Sequence, residues 1–229
     1  MRLLIVSGEV CTPDVVRRWA RPGCRMLNVY GPTETTVNAT VAECLPDRPV
    51  TIGRPLTGYL TYILDESLRP VADGASGELY IGGPGLARGY FDLPELTATH
   101  FIPNPIVESR AMSSRLYKTG DLARVTEQGT IDYLGRLDGQ VKVRGFRVEL
   151  GEIESVLRED PAVVMAVVTV TDRGGPQLAA YVTVEPSVGP LDRDSVLQRL
   201  RSRLPDYMVP AYLDVLDEFP TLASGKVER

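Results

Sequence analysis

The chain has 229 residues, a formal net charge of −5 and 43% apolar residues, enough for one large or two small domains with a sizeable core. The acidic balance argues against a nucleic-acid footprint, which needs a basic face, and no stretch approaches the roughly 20 apolar residues of a membrane span. Three cysteines without metal-ligand spacing suit a reducing cytoplasm; His100, the single histidine, excludes a His-rich zinc site and argues against a Ser-His-Asp triad.

Leu3 to Val6 is a continuous apolar run ended by Ser7-Gly8-Glu9. It is too short for a signal peptide and reads as a buried parallel strand. Thr12-Pro13 marks a helix start, with Thr12 as N-cap and Pro13 in the first position, and the helix should bury Val15, Val16 and Trp19. Met26 to Val29 is a second buried strand, and a strand-helix-strand unit normally sits in a larger sheet with helices on both faces. Residues 28–36, Asn-Val-Tyr-Gly-Pro-Thr-Glu-Thr-Thr, follow at once. Ligands bind beyond the carboxyl ends of parallel strands, so this loop is well placed. Tyr30 offers a flat face to an adenine, Thr33 a hydroxyl to a phosphate oxygen, and Glu34 hard oxygen to Mg²⁺. Taken alone, the same residues read equally as a Gly-Pro turn capped by Thr.

Residues 40–93 are β-rich, with strands at Leu60–Leu64 and Glu78–Ile81 separated by a turn near Asp73-Gly74. The glycines from Gly82 to Gly89 do not form a phosphate loop, because no Gly-Lys-[Ser/Thr] follows and no helix opens there. Pro94 to His100 reads as a short helix, with His100 a surface or packing residue. Asp121 follows a Thr119-Gly120 turn. Its two acceptor oxygens suit the paired hydroxyls of a ribose, or they cap the turn itself. Thr130 to Leu134 is a strand leading to Gly135-Arg136.

Asp138-Gly139 lets the chain bend. Val141 and Val143 then alternate with Lys142 and Arg144, Gly145 makes a tight turn, and Phe146 and Val148 alternate with Arg147 and Glu149, which spells a short hairpin. From Leu150 the period becomes helical, with Leu150, Ile153 and Leu157 on one face and Glu152, Glu154 and Arg158 toward water. Val163–Val170 and Leu178–Val184 are strands joined through Gly174-Gly175-Pro176; Val196, Leu200 and Leu204 mark a helix face stopped by Pro205.

Residues 140–154, Gln-Val-Lys-Val-Arg-Gly-Phe-Arg-Val-Glu-Leu-Gly-Glu-Ile-Glu, closely resemble the hinge-following motif of amino-acid adenylation domains of nonribosomal peptide synthetases. These belong to the adenylate-forming superfamily, with acyl-CoA synthetases and luciferases. Asn28 to Glu34, Tyr117 to Asp121, Leu204 to Pro210 and Ser224-Gly225-Lys226 (usually Asn-Gly-Lys) match further motifs of that family. The resemblance covers nearly the whole chain and maps it to the C-terminal half of such a domain. It implies a mixed α/β and α+β fold. Residues 1–137 would hold the tail of a parallel-sheet subdomain and a β-rich, barrel-like subdomain; residues 138–229 would form a small α+β lid domain, hinged at Asp138.

The resemblance also implies an activity. ATP and an amino acid give aminoacyl-AMP and pyrophosphate, and the aminoacyl group then passes to the phosphopantetheine of a carrier protein supplied in trans. Lys226, Thr33, Glu34 and Lys142 would be catalytic, with Glu34 also the Mg²⁺ ligand. Lys226 would neutralise the reacting carboxylate and phosphate, and rotation at Asp138 would exchange it for the hairpin face that carries Lys142. Tyr30, Gly31, Asp121, Tyr133, Arg136, Gly8 and Glu9 would lie at the ATP or AMP. Ile5, Ser7, Val29, Val37 and Asn38 would line about half of the amino-acid pocket. The family's Gly-rich, Ser/Thr-rich phosphate loop precedes the matched part, so the expectation is a truncated or split adenylation domain, with a separate N-terminal half as a further partner. A catalytically inactive fragment, an interaction module or an acyl-CoA-synthetase-like ligase are the alternatives; the residues after the hinge favour the amino-acid branch. Neither nucleic acid nor membrane is an expected partner, and the expected location is cytoplasmic.

Overall fold

A computed structural model describes residues 2–109, 111–137, 140–143, 145–171, 176–185 and 191–220. The expectations for Asp138, Gly139, Arg144, Gly174, Gly175 and the Ser224–Lys226 motif lie outside the described residues. The chain divides into two compact units, Met1–Asp138 and Gly139–Arg229.

In the first unit, β1 (Leu3–Val6) runs parallel to β2 (Arg25–Tyr30), with α1 (Pro13–Trp19) between them in sequence. Thr12 caps α1 as its spacing predicts, its hydroxyl accepting the Val15 N–H at 3.4 Å, and Pro13 occupies the first turn. β3 (Thr40–Glu43) and β4 (Arg54–Pro55) extend the sheet antiparallel, giving the order β1-β2-β3-β4. The sheet is therefore mixed, parallel at β1–β2 alone. One face is covered: Leu4, Val6 and Met26 pack with Val16, Val15, Cys11 and Cys44. Two apolar expectations fail here. The alternation along β1 leaves Leu3 48% and Ile5 53% exposed on the opposite face, and Trp19, in the last turn of a seven-residue helix, is 44% exposed beneath the Arg21 guanidinium.

The second sheet holds β5 (Leu60–Leu64), β6 (Ser76–Gly82), β7 (Phe101–Pro103), β8 (Arg115–Val125) and β9 (Ile131–Arg136). Its order is β5-β6-β8-β7, with β9 also on β8, so it is open rather than a closed barrel. α2 (Pro94–His100) begins at Pro94 as expected. Thr119-Gly120-Asp121 is not a turn. β8 runs straight through it, and the register on β6 passes from Glu78–Leu122 to Tyr80–Lys118, so three residues bulge opposite Leu79. Gly120 takes φ +73° there.

In the second unit the hairpin forms as read, β10 (Gln140–Val143) pairing antiparallel with β11 (Phe146–Glu149) around Gly145 at φ +81°. α3 (Leu150–Leu157) and α4 (Arg193–Arg203) pack on β12 (Val163–Thr171), β13 (Gln177–Val184) and β14 (Tyr212–Val215), in the order β12-β13-β14. Ile153, Leu157, Val168, Ala180, Val182, Val196 and Leu200 form the centre of that core. Glu154 is not toward water. It is 6% exposed and accepts the Val168 N–H at 3.0 Å. Four residues after Leu150 and three before Leu157, it falls on the apolar stripe itself, and the sheet backbone supplies the donor that makes burial tolerable.

The Cys11 and Cys44 thiols meet in the cluster under the first sheet. Burial first, then Cys11 as neighbour, pushes the Cys44 thiol up from 9.0 to about 11. A folded-state value above the unfolded one means a contribution present in full below the unfolded value and lost as pH rises through the folded one. The denaturation midpoint of the first unit should therefore fall between pH 9 and about 11. Cys44→Ala should flatten that fall; an identical pH profile in the variant would assign the loss to other groups.

Candidate active site

Three strands of the first unit bring one acid, one phenol and one guanidinium together. Asp121, on the β8 bulge, is 5% exposed; Tyr30, the last residue of β2, is 8% exposed and donates its hydroxyl to Asp121 Oδ2. Arg136, opposite Asp121 in the β8–β9 register, donates from Nη1 to Asp121 Oδ1 at 3.0 Å and to the Thr119 carbonyl at 2.9 Å. Tyr133 tilts toward Tyr30, ring centroids 6.3 Å apart. Burial first, and the Asp121 carboxylate second, raise Tyr30 well above the ordinary tyrosine value, so it is a neutral donor at every physiological pH.

The loop after β2 places Thr33, Glu34 and Thr35 in one 3₁₀ turn. Thr33 is exposed, while Glu34 is 9% exposed and accepts from the Tyr90 hydroxyl at 2.7 Å. The loop is tied down from residues 59–90: Tyr59 donates to the Thr35 carbonyl, Thr36 Oγ1 to the Gly85 carbonyl, and the Ala87 N–H to the Glu34 carbonyl, at 2.7, 2.7 and 2.8 Å. Tyr90 is itself fixed by edge contacts with His100 and Phe101. Burial first, then its bond to Glu34, raises its hydroxyl above the ordinary value. Thr36 and Val37 follow at φ +57° and +73°, a left-handed pair that β-branched residues rarely adopt. Glu34 presents a hard carboxylate oxygen of the kind Mg²⁺ takes, and Mg²⁺ commonly uses one or two carboxylates with substrate phosphates filling the rest. Among the described residues no group of three or more His, Cys, Asp or Glu side chains gathers to hold a metal ion, and Glu34 is the single carboxylate on this loop.

The remaining predicted residues are less gathered. Gly8 and Glu9 lie in the bend after β1, Ser7 beside them. Ile5 and Val37 are exposed, Val29 is buried at 8%, and Asn38 has a buried Oδ1 with no hydrogen-bond partner among the described residues. Lys142 is exposed on β10, in the second unit. Lys226 and Asp138 lie outside the described residues. Tyr90, which holds Glu34, carries no local signal in the sequence: it acts across 56 residues.

The loop after β2 thus lies beside a buried acid, phenol and guanidinium in an open α/β frame. Residues 1–91 match the family model described as AMP-binding enzyme, and residues 152–226 match the AMP-binding enzyme C-terminal domain. The chain is 46% identical over 230 residues to phosphinothricin tripeptide synthetase PhsC of Streptomyces viridochromogenes, covering 100% of this chain and 21% of that protein. It is 47% identical over 232 residues to novobiocin biosynthesis protein H of Streptomyces niveus, covering 100% and 38%. The structure of holo-PA1221, a nonribosomal peptide synthetase protein containing adenylation and PCP domains bound to a vinylsulfonamide inhibitor, matches at a TM-score of 0.85 and 31% identity, covering 100% of this chain and 40% of that one. The chain belongs to the AMP-binding, adenylate-forming enzymes, in the amino-acid adenylation branch of nonribosomal peptide synthetases, and corresponds to a C-terminal portion of that domain. It spans well under half the length of these relatives. Among the described residues, no helix is long and apolar enough to cross a membrane.

Proposed function

We propose that the chain forms the nucleotide side and the lid of an amino-acid adenylation site, where a substrate carboxylate attacks the α-phosphorus of ATP and pyrophosphate leaves. The observation that carries this reading is Asp121 meeting Tyr30 and Arg136 from three strands, with Glu34 four residues beyond Tyr30. Asp121 receives the ribose hydroxyls, Arg136 and Tyr133 border the nucleotide, and Tyr30, Gly31, Gly8 and Glu9 shape its cradle. Thr33 donates its hydroxyl to a phosphate oxygen, and Glu34 would hold Mg²⁺, which when bound supplies neutralisation of the charge developing on the phosphates. Ile5, Ser7, Val29, Val37 and Asn38 line part of the amino-acid pocket. Lys226 completes the charge balance from the lid. Bending at Asp138 then presents Lys142 and the hairpin for thioester formation on a carrier-protein phosphopantetheine, a partner supported by the adenylation and PCP composition of the holo-PA1221 structure.

The uncovered Leu3 and Ile5 side chains favour assembly with further adenylation-domain residues, on the same polypeptide or a separate one, over activity in isolation. The three free thiols Cys11, Cys24 and Cys44 support a cytoplasmic location.

The test is amino-acid-dependent exchange of labelled pyrophosphate into ATP, run across the twenty amino acids and common nonproteinogenic ones. Exchange that appears on adding the preceding half of the domain and disappears in Lys226→Ala is the expected result and names the substrate. Exchange by the chain alone would show that it works without that half. None in either case, from folded protein, removes the catalytic reading and leaves an interaction module.

A further inference from the structure

The β8 bulge deprives several backbone groups of their ladder partners, and each is met by a specific replacement. Opposite it, β6 advances from Glu78 to Tyr80 while β8 advances from Leu122 to Lys118. The Leu79 carbonyl accepts from Thr119 Oγ1 at 2.7 Å, and the same hydroxyl accepts the Asp121 N–H at 3.0 Å. The Thr119 and Gly120 carbonyls accept from Arg136 Nη1 at 2.9 Å and from the Leu137 N–H at 2.8 Å. The Gly120 N–H is satisfied by a carboxylate, Glu78 Oε1 at 2.9 Å. Buried backbone donors need a partner, so the side chains of Glu78 and Thr119 decide whether this bulge persists.

Glu78 is well built for that role. Its side chain is 13% exposed, and Oε2 accepts from the Tyr80 hydroxyl at 3.1 Å, which fixes the carboxylate plane. Lys118 Nζ lies 3.7 Å away, but at 43% exposure that pair adds little. Were β8 to re-pair regularly with β6 onward from the Tyr80–Lys118 pair, the two extra residues of the bulge would be absorbed and Asp121 would slide two positions along β6 on the same face, because side chains alternate with a period of two. Asp121 would then leave Tyr30 and Arg136.

We propose that Glu78 is a positioning residue: through the Gly120 N–H it holds the bulge that aims Asp121 at Tyr30 and Arg136. The inference rests on the nucleotide reading for its functional consequence but not for its structural one, and two measurements separate them. The first is residue-resolved amide hydrogen exchange across residues 118–122, read with the thermal midpoint. The second is the affinity for AMP, measured by calorimetry. Glu78→Leu should lose the protection of the Gly120 amide and weaken AMP binding about tenfold, with the thermal midpoint changed far less than a core substitution would change it. Glu78→Gln, which keeps a carbonyl acceptor of the same length, should restore both. Unchanged Gly120 protection in Glu78→Leu, or a Glu78→Gln variant as impaired as Glu78→Leu, overturns the proposal. A wild-type protein that binds no AMP would overturn the nucleotide reading instead, and the exchange pattern would still decide the positioning role.

Discussion

Asp121→Ala should destabilise the first unit by about 3–5 kcal/mol, the cost of removing one partner from a buried ion pair. Asp121 is 5% exposed, and the Arg136 side chain is 15% exposed. Removing the carboxylate leaves the guanidinium with the Thr119 carbonyl among its acceptors but without its counter-charge, and leaves the Tyr30 hydroxyl without the acid it donates to. Most of the loss is therefore the penalty of a stranded charge rather than the worth of the pair. The double variant Asp121→Ala/Arg136→Leu checks this directly: with both charges gone, most of the stability should return, while AMP affinity should stay lost. Denaturant midpoints for the two single variants and the double variant give the coupling. Additive losses would show that Arg136 is solvated well enough to do without Asp121.

That constellation marks the boundary of what the sequence could disclose. Thr12, Pro13, Pro94, Gly145 and Pro205 act within their own turns, so the capped helix, the second helix and the hairpin were readable from neighbours alone. The Thr119-Gly120-Asp121 segment reads as a turn because a glycine after a hydroxyl residue is locally turn-like. β6 pairs on both flanks of it, at Lys118 and Leu122, and β9 pairs with Asp121 itself through Arg136, which keeps it in a strand; the β6 partners lie about 40 residues upstream, beyond any local reading. Glu154 reads as solvent-facing by residue type although its spacing puts it on the buried stripe; the donor that accommodates it comes from Val168. The motif residues Tyr30, Glu34, Asp121 and Arg136 could be named in advance. Tyr90 and Glu78 could not, because a supporting hydrogen bond across 56 or 42 residues leaves no spacing to detect.

Gly31→Ala is expected to lower pyrophosphate exchange about 100-fold, the loss that a misplacement near 1 Å can cause at a catalytic centre. A Cβ at position 31 would meet the Val37 carbonyl oxygen, the Ala39 nitrogen at 2.8 Å and Asn38 Cα at 2.9 Å. All three are backbone, so no side-chain rotation relieves the clash. The opposing segment has little room to give. Thr36 and Val37 already sit at positive φ, and the Ala39 N–H is bonded to the Tyr30 carbonyl at 2.8 Å. The displacement must pass instead into residues 32–35, which carry Thr33 and Glu34 and are held by Tyr59, Tyr90 and Ala87. Positioning of the phosphate and Mg²⁺ ligands should suffer more than the fold, so kcat should fall further than the thermal midpoint suggests. The core of the second unit, built around Ile153 and Leu200, should keep its own unfolding transition. Exchange within a few-fold of wild type would mean that the loop absorbs a methyl group elsewhere, and that the Glu34–Tyr90 contact is not what sets the rate.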